Sequence, residues 1–566
     1  MIRPRMDGKL VVPDMEGNAP EGGSMLSGLM MHQPLLVSSI IDYARDLHGH
    51  AEIVSARVEG DIHRTTYPEI HKRICRLAHG LRAMGIGPGD RVATLAWNGY
   101  RHFELYYAIA GIGAVCHTIN PRLSAEQFTY IVNHAGDTAL FFDTTFTSLA
   151  EALAPGLPAD IEYVAMCDAD ALPDSNLDLK AYESLLEGQP ETIDWPELDE
   201  NTACALCYTS GTTGDPKGVL YSNRAMVLHS LFVSIARHPT FFQGSRILPV
   251  VPLFHANAWG LPYVAPLCGC SLVFPGPKLD GPSVFDLMES EQVNSSWGVP
   301  TVWLGVLNEM KARGEKPSAL AEILSGGSAV ARTLIEEFSA FGIEVGHGWG
   351  MTEMSPVGTL SILSPEMKQL DEPAQIDLIS KQGRRMFGVD MKIVDEDGKR
   401  LPEDDEAEGE LLVRGNGIAA GYYENEDASD VAVSDGWFRT GDVARISPDG
   451  WLTLTDRAKD LIKSGGEWIS SIDVENTALA HPGVANCAVI AVPHPKWDER
   501  PLLVVQKEAG ADPSPEELRA HVGAHLAKWQ VPDAVEFVDD LPLTATGKVS
   551  KRTLREQLKD HPIGQA

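Results

Sequence analysis

Residues 208–218, YTSGTTGDPKG, place hydroxyls, three glycines and a lysine directly after an apolar stretch. Thr209, Ser210, Thr212 and Thr213 can bind oxygens, Gly211 and Gly214 let backbone N–H groups approach an anion, and Lys217 adds charge. These are the parts of a phosphate-cradling loop. The segment is not a G-x-x-x-x-G-K-[ST] loop, which needs the Lys directly after the second Gly; here Gly214 and Lys217 are separated. A Ser/Thr/Gly surface turn has the same composition, so the loop alone leaves phosphate binding and a plain linker both open. Cys204 with Cys207 (C-x-x-C) and Cys268 with Cys270 (C-x-C) raise a zinc site. Within ACALCYTS the first pair reads as buried strand, which points positions i and i+3 at opposite faces, so small buried hydrophobes are the better reading.

Such residues need elements to position them. From about Gln33 to Trp195 helical patterns such as YPEIHKRICRLAHGLRAMGI alternate with short apolar strands such as DRVATLAW and YVAMCD. Asp90 to Leu95 followed by ELYYAIAGIGAVCHTI reads as strand then helix, the unit of a doubly wound parallel sheet. A second α/β region is expected from about Asn201 to Asp371. Beyond it MKIVDEDG, GELLVRG and WFRTGDVARISPDGWLTLTDR predict a small β-rich subdomain punctuated by Asp-Gly turns, with EDDEAEGE (403–410) as a solvated turn. After Arg457 the pattern becomes a compact α+β unit, in which Ser514 followed by Glu516 and Glu517 predicts a helix start. The expected fold is therefore α/β: a large N-terminal domain of doubly wound sheets plus a β-rich subdomain (33–458), and a small mobile α+β C-terminal domain (459–566).

The chain has 566 residues, 44% hydrophobic and 22% charged, which suits a multidomain globular enzyme and excludes wholesale disorder. Its net charge of −33 argues against nonspecific nucleic-acid binding, so an anionic ligand needs a local positive site. The eight cysteines are scattered, pointing to a reducing cytoplasm. MIRPRMDGKLVVPDMEGNAPEGGSM holds Arg3 and Arg5 but no apolar h-region, so residues 1–32 are expected to be a leader, disordered in part. No run approaches the roughly 20 apolar residues of a membrane span.

The loop resembles the signature of the adenylate-forming enzymes: acyl-CoA synthetases, luciferases and peptide-synthetase adenylation domains. HGWGMTE (347–353), WFRTGDVA (437–444), DRAKDLIKSGGEWI (456–469) and PLTATGKVSK (542–551) match further motifs of that superfamily in the same order. The resemblance covers about Pro34 to Leu558. It implies that Thr209 to Gly214 and Lys217 hold ATP phosphates, and that Glu353, with Thr209, binds Mg²⁺, a hard cation that a carboxylate suits. It implies that Trp349, Gly350, Met351 and Thr352 bind nucleotide, with Trp349 on adenine and Gly326, Gly327 and Ser328 as the adenine-side wall. Asp442 resembles the ribose-binding carboxylate, with Arg457 contributing and Lys459 at the hinge. Lys463 and Ser464 would meet nucleotide or CoA in one of two domain orientations, and Gly465, Gly466, Glu467 and Trp468 would line a pantetheine tunnel. Lys548 would bridge the substrate carboxylate and α-phosphate as charge builds in the transition state.

The reaction so implied is carboxylate attack on ATP to give acyl-AMP, rotation of the small domain, and attack by the CoA thiol. VVPLFHANAWG (250–260) resembles the segment between acyl pocket and nucleotide, with His255 near the reacting carboxylate and Trp259 shortening the pocket, which Gly326 and Gly327 would also line. Within the superfamily the chain most resembles bacterial short- and medium-chain acyl-CoA synthetases, particularly 3-methylmercaptopropionate-CoA ligases of dimethylsulfoniopropionate breakdown. A general short- or medium-chain fatty acid ligase is the alternative, because an apolar pocket separates such acids by only about 1–3 kcal/mol. A non-catalytic nucleotide-binding protein would need neither Lys548 nor a hinge. The expected partners are ATP, CoA and a carboxylic acid, in a cytoplasmic homodimer without nucleic acid or membrane span.

Overall fold

The computed structural model describes residues 28–209, 215–237, 240–464, 467–544, 548–559 and 561–563. The chain divides into two units, residues 1–35 and 36–566. Of the first, residues 28–35 carry no helix or strand. Most of the expected leader, residues 1–27, lies outside the described residues.

Among the described residues the strands of the second unit form four sheets. The seven-stranded sheet is parallel except at one edge, where Gly218–Ser222 runs antiparallel to Ala203–Tyr208. The nine-stranded sheet has a parallel centre, flanked on one side by Val357–Leu360 and Arg384–Arg385 and on the other by Ile62–Thr66, all antiparallel. Their strands are near-continuous apolar runs because helices cover parallel sheets: Arg91–Leu95, Val115–Thr118 and Asp137–Phe142 are almost wholly buried.

The expected helix over ELYYAIAGIGAVCHTI is corrected. The helix Tyr100–Gly111 stops at its glycines, Gly113 takes φ +86°, and Val115–Thr118 is the next strand. An apolar run of that length conceals the break that two glycines and a β-branched stretch impose.

The β-rich subdomain is a five-stranded antiparallel sheet built on Val389–Val394, Gly409–Gly415, Trp437–Ile446 and Leu452–Arg457, with the short Val433–Ser434 at its edge. The acidic stretch forms the turn before the second of these, although its last two residues, Gly409 and Glu410, already belong to the strand. The smaller C-terminal domain packs Ser471–Leu479 and Pro515–His525 against the long hairpin Val484–His494/Asp498–Lys507. Ser514 starts the second helix with a reciprocal capping box to Glu517, satisfying two otherwise orphan N–H groups. All eight cysteines are free; Cys204 and Cys207 lie buried in Ala203–Tyr208, where Cys207 Sγ hydrogen-bonds Thr118 Oγ1 at 3.2 Å.

Candidate active site

One cavity of about 1600 Å³ is lined by both domains and collects most of the expected residues. One end of it is lined by Thr209 and Lys217, which flank the loop expected to hold phosphate. Strand Ala203–Tyr208 returns as Gly218–Ser222, so residues 209–217 connect two antiparallel strands. Any cradle must then come from loop N–H groups, because the helix Asn223–Ala236 begins only after the second strand. Thr209 and Lys217 close the hairpin: Thr209 N donates to Lys217 O at 2.9 Å, and Lys217 N donates to Thr209 Oγ1 at 3.4 Å. Ser210, Gly211, Thr212, Thr213 and Gly214 lie outside the described residues.

The opposite wall is the strand Glu344–Gly350 and the short turn that follows it. A bulge between Trp349 and Gly350 breaks the register against Val357–Leu360, as bulges beside sites commonly do. Gly350 is required there, since a Cβ would collide with the carbonyl of Pro356. The turn buries Glu353, only 6% exposed, and that burial raises its carboxyl above the usual range. Tyr422 Oη donates to Glu353 Oε1 at 2.7 Å, and Tyr221 Oη donates to the carbonyl of Thr352 at 2.6 Å. Gly350, Met351 and Thr352 line the cavity with Glu353.

Trp349 is shared between cavity and core. Its ring packs with Met354 and Phe438 in the β-rich subdomain, and its Nε1 donates to Asp442 Oδ2 at 2.9 Å. Asp442 pairs with Arg457 across adjacent strands, which brings Arg457 Nε to 3.1 Å from Oδ1. Each carboxylate oxygen thus carries one donor and keeps lone pairs for a further hydroxyl.

The inner end is built on an unusual turn. Ala256, Asn257, Ala258 and Trp259 all take left-handed φ, between 41° and 57°, at a cost of about 1 kcal/mol or more each. Buried partners hold the turn: Tyr106 Oη donates to Asn257 Oδ1 at 3.2 Å, and Asn98 Oδ1 accepts from Leu253 N at 2.6 Å. Gly260, at φ +84°, lets the chain pass the His229 ring, 3.0 Å from where a Cβ would stand. The result lays Trp259 across Gly326 and Gly327, within 3.3 and 3.7 Å of their missing Cβ positions. Ser328 lines the same cavity.

Lys548 enters here from the small domain. Its Cε lies 3.5 Å from the Cβ position of Gly327, and its backbone is fixed by N–H donation to Thr544 Oγ1 at 3.1 Å. Burial, then the charge of Arg457, lowers its ammonium to about 8. Burial and the Lys548 charge lower His255 to about 3, so this imidazole is neutral at working pH.

The structure brings together Thr209, Lys217, His255, Trp259, Gly326 to Ser328, Trp349 to Glu353, Arg457, Lys459 and Lys548 along one cavity, with Asp442 bonded behind Trp349 and Arg457. It does not bring Lys463, Ser464 or Trp468 there. Lys463 Nζ lies 5.4 Å over the ring of Trp468, itself 45% exposed, and Ser464 Oγ accepts from Arg500 at 2.8 Å. Gly465, Gly466 and the side chain of Glu467 lie outside the described residues. Sequence reasoning passed over Tyr422, Asn98 and Asn257. GYYENED (421–427) carried a signal for the first, two aromatic hydroxyls just before a helix cap at Asn425. Asn98 had none.

A carboxylate and a hydroxyl facing a cavity with several cations are suited to triphosphate chemistry, and both halves of the chain carry a family signature for it. The chain belongs to the AMP-binding enzymes: that family matches residues 43–423, and the AMP-binding enzyme C-terminal domain matches residues 473–548. It is 49% identical to the 3-methylmercaptopropionyl-CoA ligase of Ruegeria lacuscaerulensis over 95% of this chain and all of that one. It is 45% identical to the medium-chain-fatty-acid–CoA ligase of Ectopseudomonas oleovorans over 94% of this chain and 98% of the relative. Among solved structures, the fold matches an anthranilate CoA ligase in complex with anthranoyl-AMP, at TM-score 0.83 and 23% identity over 93% of this chain and 98% of that one. ATP-bound MatB from Rhodopseudomonas palustris matches at TM-score 0.79 and 27% identity, over 92% and 99%.

Proposed function

We propose that this enzyme is an ATP-dependent acid–CoA ligase whose preferred acid is 3-methylmercaptopropionate. A carboxylate oxygen attacks the α-phosphorus of ATP, the bond to the β-phosphate oxygen breaks, and acyl-AMP and pyrophosphate form. The CoA thiol, losing its proton, then attacks the acyl carbon and AMP leaves. The observation that carries this reading is Lys548, a lysine from the small domain whose Cε lies 3.5 Å from the Gly327 Cβ position at the inner end of the 1600 Å³ cavity. A charge held there, away from bulk water, stabilises negative charge spreading over the carboxylate and α-phosphate.

The other residues have supporting parts. Lys217 and the hydroxyls beside it hold the triphosphate, Asp442 accepts from the ribose, and neutral His255 orients the carboxylate without exchanging its proton. The buried carboxylate of Glu353 and the hydroxyl of Thr209 are hard oxygen donors on one cavity, a set that suits Mg²⁺. When bound there the ion would neutralise triphosphate charge. For the second half, the small domain would turn about Lys459, withdraw Lys548 and bring Lys463 to Trp468 inward.

The substrate follows from the pocket and the relatives together. Trp259 fills the space beyond Gly326 and Gly327, which favours a short acid, and the ligases named for 3-methylmercaptopropionate share 49% and 48% of their residues with this chain. Medium-chain fatty acids are the second reading, supported by the Ectopseudomonas relative. The eight unpaired thiols support a reducing cytoplasm, and a homodimer is the proposed assembly. No helix among the described residues is long and apolar enough to cross a membrane. The direct test is acid-dependent exchange of labelled pyrophosphate into ATP without CoA, followed by a CoA chase. The proposal requires exchange first and thioester only after the chase; thioester formation without prior exchange would contradict it.

A further inference from the structure

Residues 421–423 lie between the strand Gly409–Gly415 and the helix Glu426–Ala432, outside the motifs singled out in the sequence. Two adjacent tyrosines there touch both walls of the phosphate end. Tyr422 Oη donates to Glu353 Oε1 at 2.7 Å, and the Tyr422 ring lies 4.9 Å from Lys217 Nζ. Tyr423 N donates to the carbonyl of Gly218 at 2.8 Å, while its ring meets His134 edge-on at 5.7 Å. His134 Nδ1 is in turn 2.7 Å from Tyr208 Oη, at the start of the loop. The segment is itself anchored: Tyr422 N donates to Ser429 Oγ at 2.8 Å, and its ring packs on Phe438.

We propose that Tyr422 is a positioning residue for acyl-AMP formation, holding the Glu353 carboxylate and the Lys217 ammonium in fixed relation across the phosphate end of the cavity. The physical grounds are directional. The terminal torsion of a Glu side chain is broad, so an unbonded carboxylate samples many orientations, and a phenol bound to one oxygen selects among them. A cation over the ring face holds the lysine without neutralising it. Tyr422 acts through two groups at the triphosphate end, so its influence falls on the first half-reaction. The inference rests on the ligase reading above.

Tyr422→Phe keeps the ring and removes the hydroxyl; Tyr422→Leu removes both. Three quantities separate positioning from simple structural support: acid-dependent pyrophosphate release, thioester formation from supplied acyl-AMP, and affinity for Mg²⁺·α,β-methylene-ATP by calorimetry. Loss of one charge-assisted hydrogen bond predicts that Phe lowers kcat for pyrophosphate release about tenfold. The KM for acid and the thioesterification rate should stay within about twofold of wild type, as for an interaction made in only one transition state. Leu should additionally weaken analogue affinity by about fivefold, the loss of one cation–π contact. A Phe variant with wild-type pyrophosphate release, or one that loses both half-reactions equally, would overturn the inference. If Leu fails to fold, the Phe variant decides alone. Wild-type protein that releases no pyrophosphate with any acid would instead overturn the ligase reading, and this inference with it.

Discussion

Among single residues, the Lys548 ammonium carries the proposed chemistry. Replacing Lys548 with Ala should lower acyl-AMP formation by about 10²–10³-fold, as loss of a transition-state charge donor does, while thioesterification of supplied acyl-AMP persists. Equal loss of both halves would refute that division. Lys548 is held down to about 8, below the ordinary lysine value, first by burial and then by Arg457. It therefore stays mostly charged at neutral pH and loses its charge as pH rises through about 8. The kcat/KM for acyl-AMP formation, which reports the free enzyme, should fall above that point, and Lys548→Arg should remove the alkaline limb. His255, pushed to about 3, should contribute no limb near neutrality. Trp259→Ala should open the pocket and raise the octanoate-to-butyrate ratio of kcat/KM by about 10–100-fold, the worth of a few methylene contacts. An unchanged ratio would take Trp259 out of the pocket wall. Lys548, Glu353 and Asp442 stood out in the sequence only through the superfamily motifs that hold them; the structure puts Lys548 and Glu353 on the cavity and Asp442 behind Trp349 and Arg457. Tyr422 and Asn98 did not stand out, because a hydrogen-bond partner about 70 or 155 residues away leaves no local trace.

At the scale of elements, the strands and capped helices were readable where periodicity and punctuation agreed, as in Ser514–His525. They were misread where an apolar run hid a turn, as at Gly111–Ala114. The left-handed turn 256–259 was illegible for a related reason: Ala and Trp do not favour positive φ, and only Asn257 and Gly260 hint at it. Tertiary contacts from Tyr106 and His229 impose it. The segment 456–461 holds the proposed hinge. Asp456 Oδ2 accepts from Ser471 N at 2.6 Å and Ser470 Oγ donates to Thr455 O at 2.5 Å, so the small domain is clasped across the proposed hinge while Lys548 is inserted. Proline fixes φ and restricts the residue before it, so Lys459→Pro should preserve pyrophosphate exchange and depress thioesterification by tenfold or more, by ~1.4 kcal/mol or above. Rapid-quench measurement of each half checks this; a variant normal in both would move the hinge elsewhere.

At the scale of the whole molecule, a chain of net charge −33 concentrates Lys217, Arg457, Lys459 and Lys548 on one cavity, as capture of a polyphosphate by an acidic protein demands. The large domain carries the 209–217 loop, the 256–259 turn and the Glu353 turn, while the small domain supplies Lys548. Both domains line the cavity, so residues from motifs spread over some 340 positions meet on one surface. The central claim is that this site joins a short acid to CoA through an adenylate. The measurement that tests it most directly is CoA-dependent AMP formation, with ATP and Mg²⁺, across 3-methylmercaptopropionate, acetate, butyrate, hexanoate, octanoate and an aromatic acid. The highest kcat/KM is expected at 3-methylmercaptopropionate, with butyrate and hexanoate close behind. A maximum at octanoate or longer would contradict the short pocket closed by Trp259, and AMP formation with no acid on the panel would contradict the ligase itself.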